Sequence, residues 1–180
     1  MSRLDRILIP TDFSELATHA LTYARDFALS CLSELHVLHV VPLAVELSAA
    51  TGGFPMGTSA VLMESLQDVV GRRSDELRSY VQGIQADSPM TTVFAVRTGT
   101  PWEEIVNYSM EMAVDLIVMG THGRGMIKRM LRGSTSKAVL EHSTCPVLMV
   151  PLATFSGEAH VDASRVTSGS GAGKHRGTLG

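Results

Sequence analysis

Gly120-Thr121-His122-Gly123-Arg124-Gly125-Met126-Ile127-Lys128-Arg129-Met130-Leu131-Arg132-Gly133-Ser134-Thr135 is the stretch around which the chain is organised. An apolar run, Leu116-Ile117-Val118-Met119, leads into it, and a helical pattern from Lys137 to His142 leads out. A strand that breaks into a glycine loop and re-enters as a helix is a common way for an α/β protein to hold an anion. Glycine has no Cβ, so backbone N–H groups can approach closely. The first turn of the next helix leaves N–H groups unpaired and carries the positive end of the macrodipole. Gly133-Ser134-Thr135 therefore reads as a phosphate site, with two hydroxyls added to the backbone donors. The glycines are not in Gly-x-Gly-x-x-Gly order, and no Gly-Lys-Ser/Thr closes the loop. Neither the dinucleotide fingerprint nor the P-loop describes it.

The rest of the chain alternates around this loop. Ile7-Leu8-Ile9-Pro10 is an unbroken apolar run of the kind that forms a buried parallel strand. Asp12-Phe13-Ser14-Glu15 starts a helix, with Asp or Ser at the cap and an acid in the first turn. Leu16, Ala17, Ala20, Leu21, Ala24, Phe27 and Ala28 continue it at helical spacing to about Ser30. A second strand covers 35–41, and a right-handed crossover is expected between the two. Residues 43–58 are unpatterned, and Thr51-Gly52-Gly53-Phe54-Pro55 marks a loop. A long helix follows over 59–85, then a third strand over 91–96. Thr100-Pro101-Trp102-Glu103 combines a Thr cap, a first-turn Pro and a capping-box Glu, opening a helix to about Met112. Strand four covers 116–119, a helix covers 135–142, and Pro146-Val147-Leu148-Met149-Val150 is strand five. The pattern predicts an α/β fold: a five-stranded, doubly wound, Rossmann-like parallel sheet of order 3-2-1-4-5. Ligands are expected at the carboxyl ends of the strands, where Asp12, Val40-Val41 and Gly120 would face one crevice.

One domain over 1–151 is expected, followed by a Gly- and Ser-rich tail over 152–180. The tail is too poor in apolar residues to repay the entropy of ordering. Its Gly173-Lys174 imitates a P-loop end, but Ser168 and His175 stand where the motif needs Gly and Ser or Thr. The formal charge of −3 creates no broad basic field for nucleic acid, and aromatics at 5% supply no stacking platform. No apolar run approaches the roughly 20 residues of a membrane span, and no secretory leader is read at the N-terminus. Cys31 and Cys145 are too few for a disulfide framework; buried, reduced roles and a cytoplasmic setting are expected.

Several residues carry two readings. Asp12 can cap a helix, and it can also accept from an adenine amino group or a ribose hydroxyl. His36 and His39 have metal-like spacing only on a helix; on a strand they face opposite sides. His122 and Arg124 lie inside the loop, and Lys128, Arg129 and Arg132 form a basic cluster over it. These five are either a solvated face or a local field that draws polyphosphate. The ten methionines read as core filler.

The spacing Gly120-x2-Gly123-x9-Gly133-Ser134 resembles the ATP-binding motif of the universal stress protein family. The resemblance covers about residues 3–151. It extends through Ile7-Leu8-Ile9-Pro10-Thr11-Asp12-Phe13-Ser14, His36-Val37-Leu38-His39-Val40-Val41, the Gly99-Thr100-Pro101 turn and Cys145-Pro146-Val147-Leu148-Met149-Val150. It implies a five-stranded α/β fold, a homodimer and a site for ATP, often with a divalent metal such as Mg²⁺ or Mn²⁺. Pro10, Thr11, Asp12 and Val40 would surround the adenine and ribose. Met119, Gly120 and Gly123 would line ribose and phosphates, and Gly133, Ser134 and Thr135 would bind phosphate. No metal-ligating side chain and no catalytic residue is assigned.

Three functions follow. The first is an ATP-binding stress or signalling protein acting as a nucleotide-dependent binding module. The second is an enzyme, a slow ATPase or a phosphoryl or adenylyl transferase. The third is a dimeric interaction module with a vestigial nucleotide site. Phosphoryl transfer needs a positioned base, and the loop offers only His122, so the binder is preferred. The homodimer is expected to pair through strand five, an apolar edge without charge or internal Pro that no following helix covers.

Overall fold

Unbroken apolar runs and amphipathic runs at period 3.6 alternate along the chain, and each becomes a strand or a helix in the computed structural model. It describes residues 3–42, 59–85, 90–122 and 135–152. The strands are β1 (Arg6–Thr11), β2 (Glu34–Pro42), β3 (Thr92–Gly99), β4 (Leu116–His122) and β5 (Val147–Leu152). The helices are α1 (Glu15–Cys31), α2 (Ser59–Gln85), α3 (Pro101–Glu111) and α4 (Thr135–His142). All recorded strand pairs are parallel, in the order β3-β2-β1-β4-β5. Of the expected tail, Leu152 belongs to β5; residues 153–180 and the unpatterned 43–58 lie outside the described residues.

Alternation along the strands divides the core into two layers. Ile7, Ile9, Leu35, Val37, Val118 and Val150 point to one face, where α1 and α2 cover them with Ala20, Leu21, Ala24, Ala28, Leu77 and Val81. Leu8, Leu38, Val40, Ile117 and Met119 point to the other, under α3 and α4 with Ile105, Val106, Tyr108 and Val139. Helices on both faces make the sheet doubly wound and explain why its central strands read as continuous apolar runs. The buried face of α1 is largely alanine, which lets the helix axis approach the sheet.

The helix starts differ in detail from the sequence reading. Ser14 caps α1, its Oγ accepting from Ala17 N at 3.2 Å. Asp12 stands one step earlier and accepts from Ser14 N at 3.0 Å. At α3 the expected capping box does not close: Thr100 is the cap residue but makes no side-chain cap bond. Pro101 already fills the first position, so one fewer N–H needs a partner. The two cysteines are half-buried and free, rather than buried.

His36 and His39 lie on opposite faces of β2, as strand geometry requires. His36 is 1% exposed and fully engaged within the sheet and α3. Its Nδ1 lies 2.8 Å from Tyr108 Oη, and its Nε2 lies 3.2 Å from Glu34 Oε2. The Glu34 carboxylate only accepts, so Nε2 carries the ring proton and Nδ1 accepts from the Tyr108 hydroxyl, whose pKa burial pushes up although Arg97 opposes the shift. Tyr108→Phe should leave a buried acceptor without a donor and cost about 1–3 kcal/mol in urea denaturation. An unchanged midpoint would refute this assignment.

Candidate functional site

The sheet opens where β1 and β4 part. Asp115 N donates to Arg6 O, and Glu34 N donates to Asp5 O. Even-numbered residues of β1 therefore present their backbone groups to β4, and odd-numbered ones to β2. Pro10 falls on the β4 side and has no N–H to offer. Pairing of β1 with β4 is recorded only at Ile7↔Leu116 and Leu8↔Ile117, whereas pairing with β2 runs on to Thr11↔His39. The two strands that lead in opposite directions across the sheet thus separate at their carboxyl ends. A crevice of about 470 Å³ occupies this topological switch point.

Seven of the ten residues expected at a site line this crevice: Pro10, Thr11, Asp12, Val40, Met119, Gly120 and Thr135. Gly123, Gly133 and Ser134 lie outside the described residues, as do Arg124, Lys128, Arg129 and Arg132 and the side chain of His122. Val41, expected at the crevice with Val40, is fully buried and is not part of the lining. Alternation on β2 turns it away from its neighbour. Leu16, Ala17, Leu38, His39, Pro101, Ile105 and Met149 also line the crevice and were not expected there. Most are ordinary core-type residues that become lining only because the strands diverge beside them.

The β1–α1 turn is built tightly. Thr11 Oγ1 accepts from Phe13 N at 3.0 Å, and Asp12 Oδ1 accepts from Ser14 N. These bonds turn Asp12 outward, and among the described residues its Oδ2 has no donor. Phe13 adopts φ 63°, a left-handed conformation that costs a non-glycine residue about 1–2 kcal/mol. Packing offsets the strain. The Phe13 ring lies 4.5 Å from the His39 ring and 5.3 Å from the Tyr80 ring, and Tyr80 Oη lies 2.8 Å from Thr18 Oγ1 on α1.

Gly120 has a structural reason apart from any ligand. A Cβ on this residue would stand 2.3 Å from Leu16 O and 2.7 Å from Leu16 C. The first turn of α1 rests directly on the backbone of β4, and that contact brings Asp12, Leu16 and Met119 to one space. Thr135 and Ser136 bring the start of α4 to the crevice. The lining is thus apolar along its floor, with one carboxylate, a buried imidazole and a helix N-terminus at its rim. That composition suits a ligand with a flat apolar part and polar substituents. Among the described residues, no group of three or more His, Cys, Asp or Glu is placed to hold a metal ion.

Comparison with known proteins agrees with this architecture. The model of the universal stress protein family matches residues 3–151. Universal stress protein YxiE of Bacillus subtilis is 31% identical over 151 residues, covering 81% of this chain and 98% of its own length. Universal stress protein MJ0577 of Methanocaldococcus jannaschii is 29% identical over 151 residues, covering 81% and 93%. The solved structure of MJ0577 superposes with a TM-score of 0.67 at 28% identity, over 84% of this chain and 99% of that one. UspA from Lactobacillus plantarum gives 0.62 at 28% identity, over 83% and 99%. With the family model spanning every described strand but the last residue of β5, the chain belongs to the universal stress protein family.

Proposed function

We propose that the crevice binds ATP, with Mg²⁺ or Mn²⁺ at its phosphates, and that the chain is a cytoplasmic homodimer whose partner choice depends on nucleotide state. The observation that carries this reading is the crevice itself. It lies at the switch point, is large enough for a nucleoside, and is lined by Gly120, Thr121 and Thr135, which bracket in sequence the glycine stretch whose spacing matches the family's ATP motif. Pro10 and Val40 would pack against adenine, and Met119 would line the ribose. Asp12 Oδ2 would accept from the adenine amino group or a ribose hydroxyl. Gly120 and Thr135 bracket in sequence Gly123, Gly133 and Ser134, the residues proposed for the phosphates. The metal would be held by the phosphates, and its chemistry there is to neutralise their charge.

Calorimetry with Mg-ATP tests the reading. Asp12→Asn keeps an oxygen for Ser14 N but places an N–H₂ group where the ligand needs an acceptor. Loss of a hydrogen bond to a charged group should weaken binding by about ten- to a hundredfold. An Asp12→Asn protein with wild-type affinity, or a wild type that binds no ATP, would refute it.

Hydrolysis should be far slower than the typical enzymatic rate of about 10 s⁻¹. The titratable side chains on the described crevice wall are Asp12 and His39, and both stand with the residues proposed for adenine and ribose, so neither is assigned as a base at the phosphates. Phosphate release near that rate, lost in Asp12→Ala or His122→Ala, would favour an ATPase instead.

A further inference from the structure

We propose that His39 is the positioning residue that holds the β1–α1 turn in its ligand-ready form. This rests on the nucleotide reading only for its purpose; the contacts stand by themselves. His39 is the sixth of the nine residues of β2, beside Thr11 in the parallel register, and is 8% exposed. Its Nδ1 is 2.8 Å from Thr11 O. A carbonyl only accepts, so Nδ1 carries the proton and the ring donates. The neutral ring therefore presents Nε2 as an acceptor. Among the described residues nothing donates to it, although the ring borders the crevice.

Two contacts converge from this one side chain on the turn. The N–H fixes the carbonyl of Thr11, the residue whose Oγ1 holds Phe13 N. The ring face supports Phe13 in its left-handed conformation. Thr11 and Phe13 flank Asp12, so the bond to Thr11 O, with the ring contact as the smaller support, determines where the free carboxylate oxygen points. A strained turn relaxes when its supports are removed. Without them Asp12 would spend less time facing the crevice, and ligand affinity would fall by that fraction.

The donor and the ring can be removed separately. His39→Phe keeps an aromatic ring beside Phe13 and deletes the N–H. His39→Asn deletes the ring and keeps an N–H donor near the position of Nδ1. Two measurements are made on the full chain: Mg-ATP affinity by calorimetry, and amide hydrogen exchange of Phe13 and Ser14 without nucleotide. His39→Phe should bind ATP about tenfold more weakly, and its two turn amides should exchange about tenfold faster. His39→Asn should recover most of both, although its smaller side chain makes it the less thermostable of the two. A residue serving only the core would give the reverse order, with affinity following thermal stability. In the wild type, ¹⁵N spectra should show the proton on Nδ1. Overturning results are turn amides that exchange alike in wild type and His39→Phe, an affinity that tracks melting temperature, or a proton on Nε2 alone. Absence of ATP binding by the wild type would overturn the nucleotide reading, and the clamp would then be decided by the exchange rates alone.

Discussion

Gly120→Ala is expected to destabilise the protein by about 3 kcal/mol, the upper part of the range for inserting a methyl group into a packed interior. The added Cβ would stand 2.3 Å from Leu16 O and 2.7 Å from Leu16 C. Both are backbone atoms of the first turn of α1, so no rotamer change can relieve the overlap. Either α1 moves off the sheet or β4 bends. The first separates Ala17, Ala20 and Leu21 from the core, and the second pulls Met119 away from the α3 layer. Gly71 supplies the control. It lies within α2 and a Cβ there meets nothing within 4 Å. Gly71→Ala should stabilise by about 0.4–1 kcal/mol, mostly by narrowing the unfolded ensemble. Urea denaturation of both variants measures the pair. A Gly120→Ala protein with a wild-type midpoint would show that α1 does not need this contact.

Met149→Pro should shift the proposed homodimer to monomer. The structure changes the description of its edge. β5 is Val147–Leu152, not the expected 146–150, and Pro151 lies inside it. Ile117 N donates to Pro146 O, so even-numbered residues of this strand face β4. Val147, Met149 and Pro151 then turn their backbone groups to the free edge. Pro151 has no N–H, which is tolerated because that side is unpaired among the described residues. It also limits pairing with a two-fold mate to the groups around Val147 and Met149. Pro at 149 removes an outward N–H and leaves the ladder to β4 intact. In an isologous contact the loss occurs twice, about 1 kcal/mol each time, so the dimer dissociation constant should rise about thirtyfold or more. Val150→Pro is a poorer probe, because Val150 is buried and paired with Gly120 on β4. Light scattering over a dilution series, with circular dichroism to verify the fold, measures the shift. A wild type that is monomeric at tens of micromolar, or a Met149→Pro dimer of unchanged affinity, would place the interface elsewhere.

The number of strands, the two-sided covering of the sheet and most element boundaries were legible in the sequence, because they depend on local periodicity; the strand order agrees with what the doubly wound fold class implies. Ile7-Leu8-Ile9 and Leu116-Ile117-Val118-Met119 read as short strands buried on both faces. The Ala stripe of α1 and the Pro at the start of α3 are equally local. β3 and β4 run three residues beyond their expected ends. Arg97-Thr98-Gly99 and Gly120-Thr121-His122 lack the apolar signal that marks the rest of those strands. They are extended because neighbouring strands supply their partners at Val40, Val41 and Pro42 and at Val150, Pro151 and Leu152. The capping box at Thr100 failed for a related reason: a sequence pattern permits the bond, but the observed side chain does not make it.

By itself the sequence determined that this is a doubly wound α/β protein with Pro10, Thr11, Asp12, Val40, Met119, Gly120 and Thr135 near strand ends, since period and turn chemistry act within a few residues. What holds them round one crevice was decided only by tertiary structure. Pro10 ends the ladder to β4 because alternation happens to aim its missing N–H that way. Gly120 is needed because Leu16, more than a hundred positions earlier, lays its carbonyl on β4. Phe13 is held left-handed because His39 and Tyr80 stand beside it. Each is a contact between residues distant in sequence and adjacent in space, and no local pattern encodes the distance between two elements that pack.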